Sequence, residues 1–178
     1  TSGSTGEPKG VEISHPAAAN TLEDLQRRLQ LDQHDRILAL SALEFDLSVF
    51  DLFAALSTGA AVICIEPWAQ RDAQRWRELA QQHRASVLNC VPALLDMLLA
   101  CAPAGDSLPL RAVLLGGDKV APDLPRRLWA QAPDCRFLAL GGATETAIHS
   151  TLFEVLPGQT LHWHCLPYGK PLDNVCLR

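Results

Sequence analysis

The first ten residues of the chain bring together the groups that bind phosphate. Three glycines, four hydroxyl side chains and one lysine stand in the run Thr1-Ser2-Gly3-Ser4-Thr5-Gly6-Glu7-Pro8-Lys9-Gly10. Glycines let backbone N–H groups approach an anion, hydroxyls add donors, and lysine adds a positive charge. Flexible linkers share this composition, but a linker does not need the Pro8-Lys9-Gly10 ending. The Walker pattern is not met, because it requires four residues between a glycine and Gly-Lys-[Ser/Thr], with a helix that opens on the lysine, whereas Lys9 stands between Pro8 and Gly10. We therefore expect a phosphate-binding loop of another kind.

A second stretch, Gly141-Gly142-Ala143-Thr144-Glu145, places a carboxylate after two glycines and directly behind a predicted buried strand. Glycines permit the close approach of a ligand, and a site that handles ATP needs a carboxylate to hold Mg²⁺. An ordinary helix start is the alternative, with Thr144 as the N-cap and Glu145 favoured by the helix dipole. In a chain that also carries a phosphate loop, we favour magnesium binding by Glu145.

Two more polar stretches follow predicted strands. Phe45-Asp46 comes after the first strand, and Gly116-Gly117-Asp118-Lys119 comes after the fourth. Each has a plainer interpretation, since Asp46 could be a cap or turn residue and the glycine pair an ordinary turn between a strand and a helix.

The pattern of apolar residues predicts the elements that must position these stretches. Strands are predicted at 36–42, 60–65, 85–90, 110–115 and 136–140, and helices from Pro16, from Ser48 as N-cap to 58, over 71–83, from Pro92 and over 121–130. This alternation predicts an α/β fold with a mostly parallel sheet flanked by helices. Ligands bind beyond the carboxyl ends of the strands in such sheets, and this is where Asp46, Asn89, Gly116 to Lys119 and Gly141 to Glu145 fall.

The opening loop resembles the phosphate-binding signature of the acyl-adenylate-forming superfamily, which includes acyl-CoA synthetases, luciferases and the adenylation domains of nonribosomal peptide synthetases. The resemblance covers nearly the whole chain. It implies that the ATP phosphates are held by Thr1, Ser2, Gly3, Ser4, Thr5, Gly6 and Lys9. It further implies that Lys9, Thr144 and Glu145 are catalytic, with Glu145 as the metal ligand.

The same resemblance implies an adenine site. The residues expected against the base are Gly116, Gly117, Asp118, Gly141, Gly142 and Ala143. The family motif is Tyr-Gly-x-Thr-Glu, in which an aromatic residue stands where this chain has Gly141. A ring on which adenine could stack is therefore missing at that position.

Phe45-Asp46 with Ser48 and Phe50 resembles the version of the aromatic-acid motif found in peptide synthetases. An aspartate at the position of Asp46 pairs there with the α-ammonium group of an amino acid, which rejects substrates that lack an amine. The specificity pocket carried over by position consists of Asp46, Leu47, Phe50, Asn89, Leu114, Gly116, Leu140, Ile148 and His149. The set is most similar to cysteine-activating domains of thiazoline-forming siderophore synthetases, with departures at Gly116 and His149, where serine and tryptophan are expected.

The resemblance implies an ATP-dependent ligase that converts an amino acid into an aminoacyl adenylate with release of pyrophosphate. Cysteine is the favoured substrate, followed by serine or an α-methyl analogue. The implied cofactors are ATP and Mg²⁺, and the implied partners are the phosphopantetheine thiol of a carrier-protein domain and a condensation or cyclization domain in the same chain. Two alternatives stay open: an acyl- or aryl-CoA ligase of the same superfamily, and a catalytically silent lobe that serves only for protein interaction.

Composition restricts the remaining possibilities. The net charge of −5 contains no block of like charges, which argues against nucleic acid, and no apolar run approaches the length of a membrane span. Six cysteines without a Cys-x-x-Cys pair are interpreted as mostly buried thiols in a reducing cytoplasm.

The chain starts inside its phosphate loop, so we expect a fragment of a larger polypeptide. Residues 1–155 are assigned to the α/β core of the large N-terminal subdomain of an adenylation domain. Residues 156–178 are assigned to a β-rich lead into the small β-barrel subdomain.

Overall fold

The computed structural model describes residues 10–103 and 105–177. Its seven-stranded sheet has the order β2-β1-β3-β4-β5-β6-β7, in which β1 to β5 are parallel and β6 and β7 are antiparallel to their neighbours. The strands are β1 Arg36–Ala39, β2 Ala61–Cys64, β3 Val87–Cys90, β4 Ala112–Leu115, β5 Arg136–Gly141, β6 Thr151–Val155 and β7 Lys170–Pro171. The predicted mostly parallel sheet is confirmed, although most strands are shorter than the apolar runs that predicted them.

Helices cover both faces of this sheet. They are α1 His15–Leu29, α2 Leu47–Val49, α3 Ala55–Thr58, α4 Ala73–Gln82, α5 Pro92–Ala100 and α6 Leu124–Trp129. The central strands β3 and β4 are buried at every residue, as expected for parallel strands with helices on both sides. None of the helices in the described part of the chain is long and apolar enough to cross a membrane.

The local sequence accounts for the course of α1. Ser14 is its N-cap, with the Ser14 hydroxyl accepting a hydrogen bond from the Ala17 N–H, and Pro16 lies in its first turn, where no backbone donor is needed. Leu22, Leu25 and Leu29 are buried on one side of the helix, which confirms the predicted apolar face.

The two faces of the sheet have separate cores. One core joins α1 and the helical run 47–58 to the side chains of Leu114, Leu138 and Leu140. The other joins α4, α5 and α6 to Phe137 and Ala139. Because side chains alternate along a strand, neighbouring residues of β5 serve opposite faces.

Two predicted helix starts are wrong. Ser48 does not cap a helix, because it lies inside α2 and its hydroxyl donates to the Leu43 carbonyl at 3.2 Å. The run continues through a π-helical stretch, Phe50–Ala54, into α3 and ends at Gly59 as predicted. Helix α6 begins at Leu124 with Pro125 in its first turn, rather than at Ala121 with Pro122.

The cysteines are less uniformly buried than predicted. Cys90 and Cys135 are buried, Cys101 and Cys165 are half-buried, and Cys64 and Cys176 are exposed. All six are free thiols. Burial raises the pKa of the Cys135 thiol to about 12, which keeps that thiol protonated and unreactive near neutral pH.

Candidate functional site

Four neighbouring strands bring the polar stretches to one edge of the sheet. β1, β3, β4 and β5 are adjacent and parallel, so their carboxyl ends meet at the same edge. The chain runs from β1 outward to β2 and then returns to β3 on the other side of β1. Ligands bind at such a reversal in an open α/β sheet, and Asp46 and Asn89 lie beside it.

A hydrogen bond joins the two most informative stretches. The Thr144 hydroxyl donates to the Asp46 carboxylate, Oγ1 to Oδ2, at 2.6 Å. The bond spans 98 residues of chain and connects the loop after β5 to the loop after β1. Asp46 is half-buried and makes no capping bond to the helix that follows it. The predicted partner of an amine and the predicted catalytic threonine are therefore in direct contact.

The loop that carries Glu145 is a single turn rather than the start of a long helix. It spans Thr144–Thr146, with Ala143 instead of Thr144 at the capping position. The Thr146 hydroxyl accepts from the Ala143 N–H at 2.9 Å, which fixes the turn and leaves Glu145 exposed. The alternative of Thr144 as an N-cap is wrong, because the Thr144 hydroxyl bonds Asp46.

The donor set at Glu145 suits magnesium. Mg²⁺ keeps several waters and binds one or two carboxylates together with the phosphates of its substrate. Glu145 supplies one exposed carboxylate, and the described residues contain no group of three or more His, Cys, Asp or Glu that would form a metal cage. This arrangement fits an ion that arrives with a nucleotide.

The remaining predicted pocket residues come together on the α1 face of the sheet. Five of them are buried members of one apolar cluster: Leu47, Phe50, Leu114, Leu140 and Ile148. They come from four separate parts of the chain, so the folded sheet assembles a buried apolar cluster, the predicted pocket wall, that no local segment contains.

A buried polar pair underlies this wall. Asn89 is fully buried, and its amide donates to the Leu47 carbonyl at 3.0 Å and to the Asp51 carboxyl at 3.2 Å. Asp51 is also fully buried, and one of its oxygens lacks a hydrogen-bond partner among the described residues, as does the Asn89 carbonyl oxygen. Burial raises the pKa of Asp51 to about 7, against the opposing hydrogen bonds from Asn89 and Ser41.

Sequence reasoning missed Asp51. A helical period places it beside Phe50, in an amphipathic run where an acidic residue normally faces solvent. The signal that could have revealed it is its position one residue after a predicted pocket residue. The π-helical stretch turns Asp51 inward, and such irregular turns are frequent at functional sites.

The absence of a side chain at Gly116 makes room for the ring of His149. A Cβ at Gly116 would lie 2.5 Å from the His149 ring carbon Cε1, so only glycine leaves room for the imidazole. His149 is 1% exposed and its Nε2 has no partner among the described residues. Burial lowers the pKa of His149 to about 4, so the ring is neutral near pH 7.

The turn that delivers His149 is strained. Ala147 and Ile148 both have positive φ, 58° and 77°, and this region is a genuine outlier for a β-branched residue such as isoleucine. Gly142 packs directly on this turn, since a Cβ there would meet the Ile148 carbonyl oxygen and lie 2.7 Å from the His149 Cα. Strain of this kind concentrates at ligand sites.

The predicted adenine residues Gly117, Asp118 and Ala143 are exposed at the same edge. Gly117 adopts φ +80°, and a Cβ there would approach Val91 at 3.2 Å. Asp118 accepts a hydrogen bond from the Lys119 N–H at 2.7 Å. Of the predicted phosphate loop, Thr1 to Lys9 lie outside the described residues.

The family described as AMP-binding enzyme matches residues 1–178 of the chain. The chain belongs to this family. It is 50% identical over 180 residues to phenyloxazoline synthase MbtB of Mycobacterium tuberculosis and 51% identical over 182 residues to pyochelin synthetase PchE of Pseudomonas aeruginosa. Each match covers 100% of this chain but only 13% and 12% of the relative.

Among solved structures, the nonribosomal peptide synthetase FmoA3 in its α-methyl-L-serine-AMP bound form superposes with a TM-score of 0.88 at 40% identity. The match covers 96% of this chain and 20% of that one. The resemblance to adenylation domains of nonribosomal peptide synthetases is thereby confirmed, as is the assignment to the sheet of the large subdomain.

Proposed function

We propose that this family member activates an amino acid with ATP. A carboxylate oxygen of the amino acid attacks the α-phosphorus, a new P–O bond forms, the bond between the α-phosphorus and its bridging oxygen breaks, and pyrophosphate leaves. The product is an aminoacyl adenylate, whose acyl group passes to the phosphopantetheine thiol of a carrier-protein domain with release of AMP. Positioning and charge neutralisation supply most of the acceleration in such a reaction.

The hydrogen bond between Thr144 and Asp46 carries this proposal. It holds a half-buried carboxylate at the strand edge, beside the apolar wall and next to the turn that presents Glu145. A carboxylate in that place can pair with the α-ammonium group of an amino acid, whereas fatty and aryl acids offer it no partner. Asp46 therefore favours amino-acid activation over the CoA-ligase alternative.

The remaining roles follow the family motifs. Ser2, Ser4, Thr5 and Lys9 hold the departing phosphates, and Glu145 holds Mg²⁺, which neutralises phosphate charge when it is bound. The FmoA3 structure also exists in an AMPPNP-bound form, which supports ATP as the co-substrate of this related chain.

The proposed amino acid carries a small side chain with a thiol or hydroxyl, with cysteine first and serine or an α-methyl analogue next. The neutral imidazole of His149, with an unpartnered Nε2 in the pocket wall, suits a weak donor such as S–H or O–H. The α-methyl-L-serine-AMP bound to FmoA3 supports the hydroxyl members of this set.

We further propose that the chain works as part of a longer cytoplasmic polypeptide. It spans about one eighth of the length of the curated relatives it matches, one named a synthase and the other a synthetase. A carrier domain and a condensation or cyclization domain are then the expected neighbours in the same polypeptide.

Exchange of labelled pyrophosphate into ATP tests the proposal. The full-length polypeptide is assayed with each of the twenty amino acids, with α-methyl analogues, and with fatty and aryl acids. We expect exchange with cysteine, serine or an α-methyl relative, and loss of at least about tenfold in kcat/KM on Asp46→Asn, because a hydrogen-bonded charge pair contributes more than about 1.4 kcal/mol.

The matched control is Glu44→Gln, which removes an exposed carboxylate two residues away and should leave exchange unchanged. Asp46→Asn keeps an oxygen that can accept from Thr144, so its loss reports the charge rather than the loop. Exchange with fatty or aryl acids only would support the CoA-ligase alternative, and exchange with no acid would support the silent lobe.

A further inference from the structure

The space beside Gly141 is occupied by an aromatic ring from another part of the chain. A Cβ at Gly141 would lie 2.7 Å from Cδ1 and 3.1 Å from Cβ of Tyr168, and it would also meet the Thr151 hydroxyl. A side chain at position 141 would therefore require Tyr168 and Thr151 to move. The direction in which a residue at 141 would point is filled by Tyr168.

Tyr168 is packed on one side and open on the other. The residue is 72% exposed although its ring contacts the end of β5. The next residue, Gly169, adopts φ +82° and lies so close to β6 that a Cβ would overlap the Leu152 carbonyl. The close approach of Gly169 to β6 constrains the backbone next to Tyr168, while the ring itself stays mostly exposed.

A cavity of about 180 Å³ lies beside this ring. Its lining includes Asp118, Lys119, Val120, Ala139, Trp163 and Tyr168. Ala139 and Gly141 point to the α4–α6 face of the sheet, because Phe137 and Ala139 belong to the core on that face and side chains alternate along a strand. The cavity therefore lies mainly on the face opposite the apolar cluster that contains Leu114, although Leu140 of β5 also lines it.

We propose that Tyr168 stacks on the adenine of ATP in this cavity and so provides the ring that Gly141 lacks. The inference rests on the proposed function for the identity of the ligand. A mostly exposed aromatic ring beside a cavity offers a surface for a planar base, and stacking on an aromatic side chain is a substantial part of base binding. The Asp118 loop and the end of β5 then border the base.

Steady-state pyrophosphate exchange by the full-length polypeptide tests this role. For Tyr168→Leu we expect the KM for ATP to rise about tenfold at saturating amino acid, since one stacked base contributes one to two decades in affinity. Tyr168→Phe keeps the ring and should stay within about twofold of the unaltered protein. The KM for the amino acid should not change in either variant.

A second measurement separates the base from the phosphates. Inorganic tripolyphosphate is used as a competitive inhibitor against ATP, and its inhibition constant should be the same for Tyr168→Leu and the unaltered protein. An equal rise in both constants would show that the substitution disturbs phosphate binding, which would overturn the inference. Trp68→Leu is the matched control, because Trp68 is 70% exposed and stacks on Arg75 instead.

Failure of this inference is distinguishable from failure of the proposed function. If the unaltered polypeptide shows no exchange with any acid, the proposed function fails. If it exchanges and Tyr168→Leu leaves the KM for ATP unchanged, only the role of Tyr168 is refuted. If the KM for ATP rises in Trp163→Leu but not in Tyr168→Leu, the base stacks on Trp163 instead. The ring of Trp163 packs edge-on against Phe153 at 5.7 Å.

Discussion

Beneath the pocket wall, the carboxyl group of Asp51 has no exposed surface and only one hydrogen-bonded oxygen among the described residues. Burial raises its pKa from 3.8 to about 7. The unfolded chain therefore releases this proton at lower pH than the folded protein does. The contribution of Asp51 to the free energy of unfolding is therefore fully present below about pH 4 and is lost as the pH rises through 7.

Asp51→Asn should remove this pH dependence. Between pH 5 and pH 8 we expect the unaltered protein to lose about 2 kcal/mol of local stability in β3 through this group, and the variant to lose none of it. Amide hydrogen exchange of β3, measured at both pH values, reports the difference. The exposed Asp134→Asn serves as control. Equal pH slopes for Asp51→Asn and the unaltered protein would mean that Asp51 ionises freely.

The contact between Gly116 and His149 leads to a second prediction at this scale. Gly116→Ser should destabilise the fold by about 1–3 kcal/mol, because its Cβ would overlap the imidazole in a packed interior. Gly116→Ser combined with His149→Ala should recover most of that loss in a urea titration. A double variant no better than Gly116→Ser alone would mean that the ring is not the obstacle.

Sequence reasoning recognised both of these residues without their connection. Gly116 and His149 each departed from the expected pocket set, one too small and one altered in shape. The small residue at 116 leaves space for His149 only because of where the turn after β5 places residue 149. That turn contains two residues at positive φ. Local propensity does not predict positive φ for alanine and isoleucine, so the contact could not be read from the chain.

Two arginines attach the last turn of α1 to the sheet. Arg111 donates to the Leu29 carbonyl at 2.9 Å, and Arg136 donates to the Arg28 carbonyl at 2.7 Å. These carbonyls belong to the last turn of α1, where cations are favoured by the helix dipole. Each arginine also forms a two-pronged ion pair, Arg111 with Asp35 and Arg136 with Glu154.

The two arginines form a matched pair for mutation. Their side chains are 37% and 35% exposed, but their partners differ, with the side chain of Asp35 6% exposed and that of Glu154 31%. We expect Arg111→Met to lower the free energy of unfolding by about 3 kcal/mol, because it leaves a buried carboxylate without a counter-ion. Arg136→Met should lower it by about 1 kcal/mol, because its partner is more exposed. Amide hydrogen exchange of α1 measures both. Equal losses would show that burial of the partner does not matter.

The helical run 47–58 shows what patterning can and cannot predict at this scale. Its end at Gly59 follows from the positive φ that glycine accepts. Its start was misplaced because serine is a common N-cap, whereas here the Ser48 hydroxyl bonds the Leu43 carbonyl from inside the helix. The sheet order was predictable as a mostly parallel arrangement because strand and helix alternate, whereas the antiparallel pairing of β6 and β7 had no local signature.

At the scale of the whole molecule, the two proposed binding surfaces lie largely on opposite faces of the sheet. The apolar pocket wall lies on the α1 face, and the cavity beside Tyr168 lies on the face of α4 to α6. The Asp46–Thr144 bond and the Glu145 turn stand at the edge between them. An amino acid on one face and a base on the other would place a carboxylate and an α-phosphate together at this edge.

This separation predicts that substitutions on the two faces act independently. Phe50→Leu reshapes the amino-acid wall and should raise the KM for the amino acid several-fold without changing that for ATP, while Tyr168→Leu should do the reverse. Effects of residues that share no partner add within about 0.5 kcal/mol, so the double variant should show the product of the two changes in exchange kinetics. Each single variant controls for the other. A coupling larger than about 1 kcal/mol would mean that both ligands contact one shared surface, because only residues with common partners couple so strongly.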